Sequence, residues 1–195
     1  ACGLGEEVPR DIVKLMLMLK IKSLSYGNSG VQIDTVIRLM YMYNHNVLPV
    51  IYTQGSLGAS GDLAPLSHLS LPLIGLGEVY HNGKKMKASE AMQKMGWQPI
   101  HLQSKEGLAL INGTQFMSAY GLYCLKKAEH LLQMADLIAA LSFDAFNCSA
   151  APLDPHIHSL RAHIGQGHTA ADMLTHHAGS PLAKKSNSQV QDPYP

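Results

Sequence analysis

Charged residues and cysteines are scarce in this chain of 195 residues. Asp, Glu, Lys and Arg make up only 15% of it, and the formal net charge is +1 with neutral histidines. Basic residues form only isolated pairs such as Lys84-Lys85, which gives no electrostatic support for nucleic-acid binding. Cys2, Cys124 and Cys148 are odd in number and widely spaced. They argue against a disulfide framework and favour a reducing, cytoplasmic compartment.

Long hydrophobic runs are also lacking. The apolar stretch 69–77 is far shorter than a membrane span, and the stretch 12–24 is interrupted by lysines, which indicates a core helix and no membrane insertion. Hydrophobic residues nevertheless make up 46% of the chain, and the mean hydropathy is zero. This balance is typical of a core-rich, folded protein rather than a disordered one.

The periodicity of apolar residues predicts a mostly α protein, part of a long-helix bundle, with one small β-hairpin. The hairpin is expected at 79–84, because Asn82-Gly83 supplies the two residues that a type I′ turn requires. Ser89 and Gly96 bound a short helix. The remaining predicted helices span 6–25, 31–46, 62–75 and 108–146.

The segment 55–66 reads GSLGASGDLAPL and contains the step Ala59-Ser60-Gly61. An unhindered glycine nitrogen can approach the carbonyl carbon two residues back if the backbone bends tightly. Attack with loss of water closes a five-membered imidazolone, and dehydration of Ser60 leaves a conjugated methylene, a strong electrophile. A plainer interpretation, compatible with the first, is a glycine-rich turn before a helix with Asp62 as its N-cap.

A second segment, 105–115, reads KEGLALINGTQ. Asn112-Gly113 interrupts an otherwise apolar helical run, and glycine costs about 1 kcal/mol relative to alanine inside a helix. The simplest interpretation is a glycine-interrupted start of a long helix. The local cost favours a functional explanation for the pair.

Together these two segments resemble the hallmark motifs of the aromatic amino acid ammonia-lyases, and their separation of about fifty residues also matches. The resemblance implies an ammonia-lyase/fumarase-like helical fold and a 4-methylidene-imidazole-5-one group formed from Ala59, Ser60 and Gly61, with no imported cofactor. It places Asn112 beside the electrophile near the substrate's amino group, and it gives Asp62 a role in ring formation.

A third segment, 189–194, resembles the family's Gln-Asp-x-Tyr element. By this resemblance Gln191 and Tyr194 support the substrate site of a neighbouring subunit in a homotetramer. The family's carboxylate-binding Arg and its catalytic Tyr base do not occur in the chain. We therefore expect residues 1–195 to be a single internal fragment of a helical lyase domain, with a mobile tail over 180–195.

Within the family, the form of the second and third motifs favours L-histidine as substrate and trans-urocanate and ammonia as products. A tyrosine or phenylalanine ammonia-lyase, or a related aminomutase, remains an alternative. A further alternative of another class is a catalytically inactive helical fragment that only folds or associates.

Histidines are concentrated near the end of the chain, and His-x-His is a plausible metal-ligand spacing. They lack a nearby thiolate and a His-x-x-x-His pair beside a glutamate, so no metal site is expected. The residues concerned are Asp154, His156, His158, His163, His168, His176 and His177.

Overall fold

The computed structural model describes residues 3–182, and the chain divides into two compact units, residues 1–124 and 125–195. The first unit opens with strand β1 (Leu4–Glu7) and helix α1 (Arg10–Ser25). The sequence predicted one helix from residue 6. That start is wrong, because Pro9 adopts an extended conformation, with φ −53° and ψ 136°, and separates the strand from the helix.

Helix α1 packs one continuous stripe into the core, and helix α2 (Ile33–Asn44) lies against it. The prediction of a second amphipathic helix over 31–46 is confirmed to within two residues at each end. The buried stripe of α1 recurs at helical spacing, as expected of a helix that covers a core. Its members are Ile12, Val13, Met16, Leu17, Lys20 and Leu24.

Within residues 3–182, five short strands form two small antiparallel sheets. Strand β1 pairs with β3 (Tyr52–Gln54), and β2 (Leu48–Pro49) pairs with β4 (Glu78–His81), which pairs in turn with β5 (Lys84–Lys87). The predicted hairpin is confirmed as β4 and β5. Asn82 and Gly83 have φ angles of 51° and 76° at its turn, as a type I′ turn requires.

Helix α3 (Leu63–Ser70) continues into a 3₁₀ turn, Leu71–Ile74, instead of the single α-helix over 62–75 that the sequence predicted. Pro72 lies in the first turn of this 3₁₀ segment, and proline has no N–H with which to extend an α-helical ladder. Helix α4 (Ala88–Met95) ends at Gly96, whose φ of 67° forms the expected C-cap.

The predicted helix over 108–146 is two helices, α5 (Glu106–Ile111) and α6 (Gln115–Ala145). The prediction of one continuous helix is wrong at Asn112, which has an extended conformation with φ −90° and ψ 117°. The chain therefore leaves the helical path at the Asn-Gly pair and resumes it three residues later. The long helix itself is confirmed over 31 residues.

The core of the first unit consists of aliphatic and methionine side chains from α1, α2, α3 and α5. Among its members with less than 2% exposure are Ile12, Met16, Leu17, Leu39, Met42, Ile51, Leu66, Leu69, Leu73 and Leu110.

The second unit contains most of α6 and two further helices, α7 (Pro155–Ser159) and α8 (Ile164–His177). His177 is buried, with its Nδ1 3.2 Å from Asp144 Oδ1 and its ring edge-on to Phe143. Between residues 3 and 182, no helix combines the length and the apolar character needed to cross a membrane.

Candidate functional site

The glycine-rich loop lies at the surface of the first unit, between β3 and α3. Residues 53–60 are exposed, Gly61 is half-buried and Asp62 is buried. Gly55, Gly58 and Gly61 have φ angles of 139°, 77° and 109°, a region that other residues rarely adopt. The loop thus presents Ser60 to solvent and anchors itself in the protein at its last two residues.

Gly61 packs directly against the break between α5 and α6. A Cβ added to Gly61 would lie 2.7 Å from the carbonyl oxygen of Gly113 and 3.0 Å from its nitrogen. It would also lie 3.4 Å from Oδ1 of Asn112, whose side chain is exposed. The structure therefore brings together the two segments that the sequence analysis singled out, although about fifty residues separate them.

Asp62 connects the loop to the α5–α6 break by two hydrogen bonds, and we call the contact of Gly61 and Asp62 with Gly113 and Met117 the junction. Its backbone N–H donates to the carbonyl of Gly113 at 2.8 Å, and its carboxylate accepts from the N–H of Met117 at 3.0 Å. Asp62 stands at the N-cap position of α3, as the plainer interpretation of the sequence predicted, but its side chain makes no capping bond to that helix. It instead satisfies an N–H in the first turn of α6, where backbone donors lack intrahelical partners.

Two buried charged residues support the junction, and the sequence analysis assigned a role to neither. Lys20 in α1 is 1% exposed, and its Nζ donates to the carbonyl of Ala109 in α5 at 3.2 Å. Burial lowers the pKa of Lys20 to about 8, although the negative charge of Asp62 acts to raise it. The one signal in the sequence was a lysine within the apolar stripe of α1.

Glu106, the first residue of α5, is fully buried. Its carboxylate accepts from the backbone N–H of Gln32 at 2.9 Å, the amide of Gln32 at 2.9 Å, the hydroxyl of Thr35 at 2.9 Å and the N–H of Gln103 at 2.6 Å. Burial raises the pKa of Glu106, but these hydrogen bonds lower it by more, so it lies below its usual value. Glu106 thereby fixes the start of α5 to the N-terminus of α2.

The third expected site element, Gln191 and Tyr194, lies outside the described residues. Within 3–182, no group of three or more His, Cys, Asp or Glu side chains is arranged to hold a metal ion. Two of the histidines of the second unit contact other side chains. Nδ1 of His156 lies 2.8 Å from Asp154, and Nδ1 of His158 lies 2.8 Å from Gln166.

The helices, the glycine-rich loop and the Asn-Gly break on which it packs belong to the ammonia-lyase fold. Solved structures share it over most of this chain. The match to histidine ammonia-lyase from Trypanosoma cruzi has a TM-score of 0.83 at 37% identity, and it covers 89% of this chain and 34% of the Trypanosoma chain. Phenylalanine aminomutase from Pantoea agglomerans has a TM-score of 0.87 at 32% identity and covers 94% and 35%.

The chain belongs to the aromatic amino acid lyase family, whose model, described as "Aromatic amino acid lyase", matches residues 1–195. Among curated proteins it is 45% identical over 195 residues to histidine ammonia-lyase from Symbiobacterium thermophilum, covering all of this chain and 38% of that protein. It is 44% identical over 196 residues to histidine ammonia-lyase from Legionella pneumophila strain Philadelphia 1, covering all of this chain and 39% of that protein. The chain thus spans well under half the length of these relatives.

Proposed function

We propose that this chain is part of an enzyme that eliminates ammonia from L-histidine to give trans-urocanate. The observation that carries the proposal is the junction at which Gly61 and Asp62 pack on Gly113. At this junction Oδ1 of Asn112 lies close to Gly61, which directly follows the exposed Ala59 and Ser60. Neither segment alone distinguishes a lyase from a glycine-rich turn, but their contact is what a shared site requires.

The residues present fit a 4-methylidene-imidazole-5-one group formed from Ala59, Ser60 and Gly61. The left-handed backbone at Gly61 and the space of less than 3 Å between its Cα substituent and Gly113 admit only glycine. Ring formation loses two waters, one from the Ala59 carbonyl and one from the Ser60 side chain, and needs no oxidant or imported cofactor. The group supplies an electrophilic methylene that activates the substrate's amine as a leaving group.

Residues of this chain hold the loop and orient the substrate. We assign to Asn112, which is exposed at the junction, a hydrogen bond to the substrate's amino group. Asp62 fixes the loop to the first turn of α6, which maintains the bend that ring closure requires. We assign Gln191 and Tyr194 to the support of a neighbouring subunit's site. The β-proton base and the carboxylate-binding arginine come from outside this sequence.

Histidine is proposed as substrate because the curated relatives at 42–45% identity are histidine ammonia-lyases. The fold does not decide the substrate. A phenylalanine aminomutase and a yeast phenylalanine ammonia-lyase, with a TM-score of 0.88, resemble the chain as well in structure. A tyrosine or phenylalanine lyase, or an aminomutase, is therefore the competing assignment that a direct assay must separate.

We further propose that the working enzyme is a homotetramer in a reducing, cytoplasmic compartment, with residues 1–195 forming one part of a helical lyase domain. Cys124 is a free thiol in the described part of the chain, consistent with such a compartment. Many large apolar side chains of the second unit are exposed, among them Leu131, Leu132 and Leu141. Such a surface is typical of a region that associates with further protein.

The mass of the peptide containing residues 55–66, after denaturing digestion, tests the electrophile directly. We expect a deficit of two waters, abolished by Ser60→Ala and unaffected by Ser29→Ala, which alters an exposed serine of another loop. An unmodified wild-type peptide would show that the chain does not mature by itself, and the inactive-fragment alternative would then stand.

Absorbance of urocanate tests the substrate. We expect it to rise when L-histidine is added to the matured protein, and to remain flat with Ser60→Ala. Formation of cinnamate from phenylalanine or coumarate from tyrosine, without urocanate, would replace the histidine assignment by its competitor. A two-water deficit without turnover of any of the three amino acids would retain the electrophile and refute activity of this chain.

A further inference from the structure

Lys20 is a buried cation for which the stability of the core offers no reason. It occupies the stripe of α1 that otherwise carries only apolar side chains, and it is 1% exposed. Removing an ammonium from water is costly, and replacing buried charges by apolar residues of similar size is often neutral or stabilising. A methionine would fill the same position, as Met16 does one turn earlier. The charge of Lys20 therefore calls for another explanation.

The side chain of Lys20 forms a hydrogen bond to the end of α5. Its Nζ donates to the carbonyl of Ala109, three residues before Asn112. Helix α5 ends at Ile111, so this carbonyl belongs to the last turn, where carbonyls lack an intrahelical N–H partner and carry partial negative charge. Lys20 thus supplies a hydrogen-bond donor to a carbonyl in the last turn of α5, where the backbone no longer provides one.

Asp62 is the charged group whose field acts on Lys20. The same Asp62 is bonded to Gly113 through its N–H and to Met117 through its carboxylate. One ammonium in the core therefore bonds to the end of α5 and interacts electrostatically with Asp62. It holds the end of α5 that precedes Asn112, and it attracts the carboxylate that directly follows the Ala59-Ser60-Gly61 step.

We propose that Lys20 is a positioning residue for the electrophile loop: its ammonium holds the end of α5 and Asp62 in the register that presses Gly61 against Gly113. This role rests on the proposed function, because the approach of these two glycines is what bends the loop for ring closure. Lys20 touches neither the substrate nor the reacting atoms. It acts through Ala109 and Asp62.

Three variants of α1 test the proposal. Lys20→Met removes the charge and keeps the volume, Lys20→Arg keeps a cation and its donors, and Lys22→Met alters an exposed lysine of the same helix as a matched control. Global stability is measured by urea unfolding, local order by amide hydrogen exchange at Asp62 and Met117, and maturation by the rate at which the two-water deficit appears.

For Lys20→Met we expect stability equal to or above that of the wild type. Exchange at both amides should nevertheless become faster by roughly tenfold, as when a local opening becomes easier, and maturation should slow by a similar factor. Lys20→Arg should restore protection and maturation, and Lys22→Met should leave every readout unchanged.

Unaltered protection of the Asp62 and Met117 amides in Lys20→Met would overturn the proposal. So would loss of protection throughout the first unit, because that pattern describes a merely structural residue. A folded Lys20→Arg without local protection would overturn it as well. If the wild type shows no two-water deficit, the proposed function fails in this chain, while the amide-exchange comparison still decides the role of Lys20.

Discussion

Removal of the Glu106 carboxylate should destabilise the first unit more than any other single truncation of a polar side chain in it. Glu106→Ala removes the acceptor of four hydrogen bonds, two of them from backbone N–H groups, at a position with no solvent exposure. Each hydrogen bond to a charged group contributes about 1.5–3 kcal/mol. The four do not add, because water enters the space and the donors partly re-pair, so we expect a loss of about 3–5 kcal/mol.

Glu106→Gln keeps one acceptor oxygen but turns an NH₂ group toward donors, and it should cost about 2 kcal/mol. Trp97 is the only tryptophan of the chain and lies in the first unit, so its fluorescence during urea unfolding reports this unit alone. Glu6→Ala, which truncates an exposed glutamate, is the control and should stay within about 0.5 kcal/mol of wild type.

The dependence on pH separates the charge of Glu106 from its shape. The pKa of Glu106 in the folded protein lies below its ordinary value of 4.5. Its charge therefore stabilises the protein fully above the pKa of the unfolded state, and this stabilisation is lost as the pH falls through the pKa of the folded state. The difference between wild type and Glu106→Gln should therefore be constant near neutrality and shrink below pH 4.5. A Glu106→Ala protein that unfolds within about 1 kcal/mol of wild type at pH 7 would refute this account of the network.

Three further predictions concern the junction. Gly61→Ala should destabilise the protein and block maturation, because its Cβ would meet the Gly113 carbonyl at 2.7 Å. Gly58→Ala is the control: its φ is also positive, but the space around its Cβ is open, so it should only add backbone strain. Equal urea midpoints and equal two-water deficits for the two variants would contradict this prediction. Lys20 binds more protons in the unfolded chain between its folded pKa of about 8 and its ordinary pKa of 10.5. The stability of the wild type relative to Lys20→Met should therefore rise by about 3 kcal/mol as the pH increases across that window. Parallel pH profiles of the two proteins in urea unfolding would refute this. Asp62→Asn removes the negative charge that raises the pKa of Lys20, so this pKa should fall below 8. The variant keeps an oxygen that can accept from the Met117 N–H. NMR of labelled lysine side chains follows the titration, and an unchanged titration would show that the two groups do not interact.

The elements that the sequence predicted well are those whose signals are local. The hairpin depends on two consecutive residues, Asn82 and Gly83, whose turn type follows from their own conformational preferences. The short helix that ends at Gly96 depends equally on its cap. The long helix was predicted because its apolar periodicity extends over many turns, far more than any competing element can imitate.

The error at Asn112 arose where two segments that are distant in the sequence share backbone hydrogen bonds. Asn112 and Gly113 look like a tolerable interruption of a helix, but the Gly113 carbonyl accepts from Asp62 and the next turn of α6 binds the Asp62 carboxylate. The break in the helix and the absence of an ordinary cap at Asp62 are therefore one event. Neither segment contains the information by itself.

The sequence by itself indicated the chemistry that we propose for this chain. Ala59-Ser60-Gly61 and Asn112 are recognisable because ring closure needs small residues in one order, and because an Asn-Gly pair is costly inside a helix. Only the tertiary structure decided how these residues meet and what holds them together. Lys20 and Glu106 appear in the sequence as an ordinary lysine and an ordinary glutamate, and their roles arise from burial, which converts a charge into a constraint on every polar group that it faces.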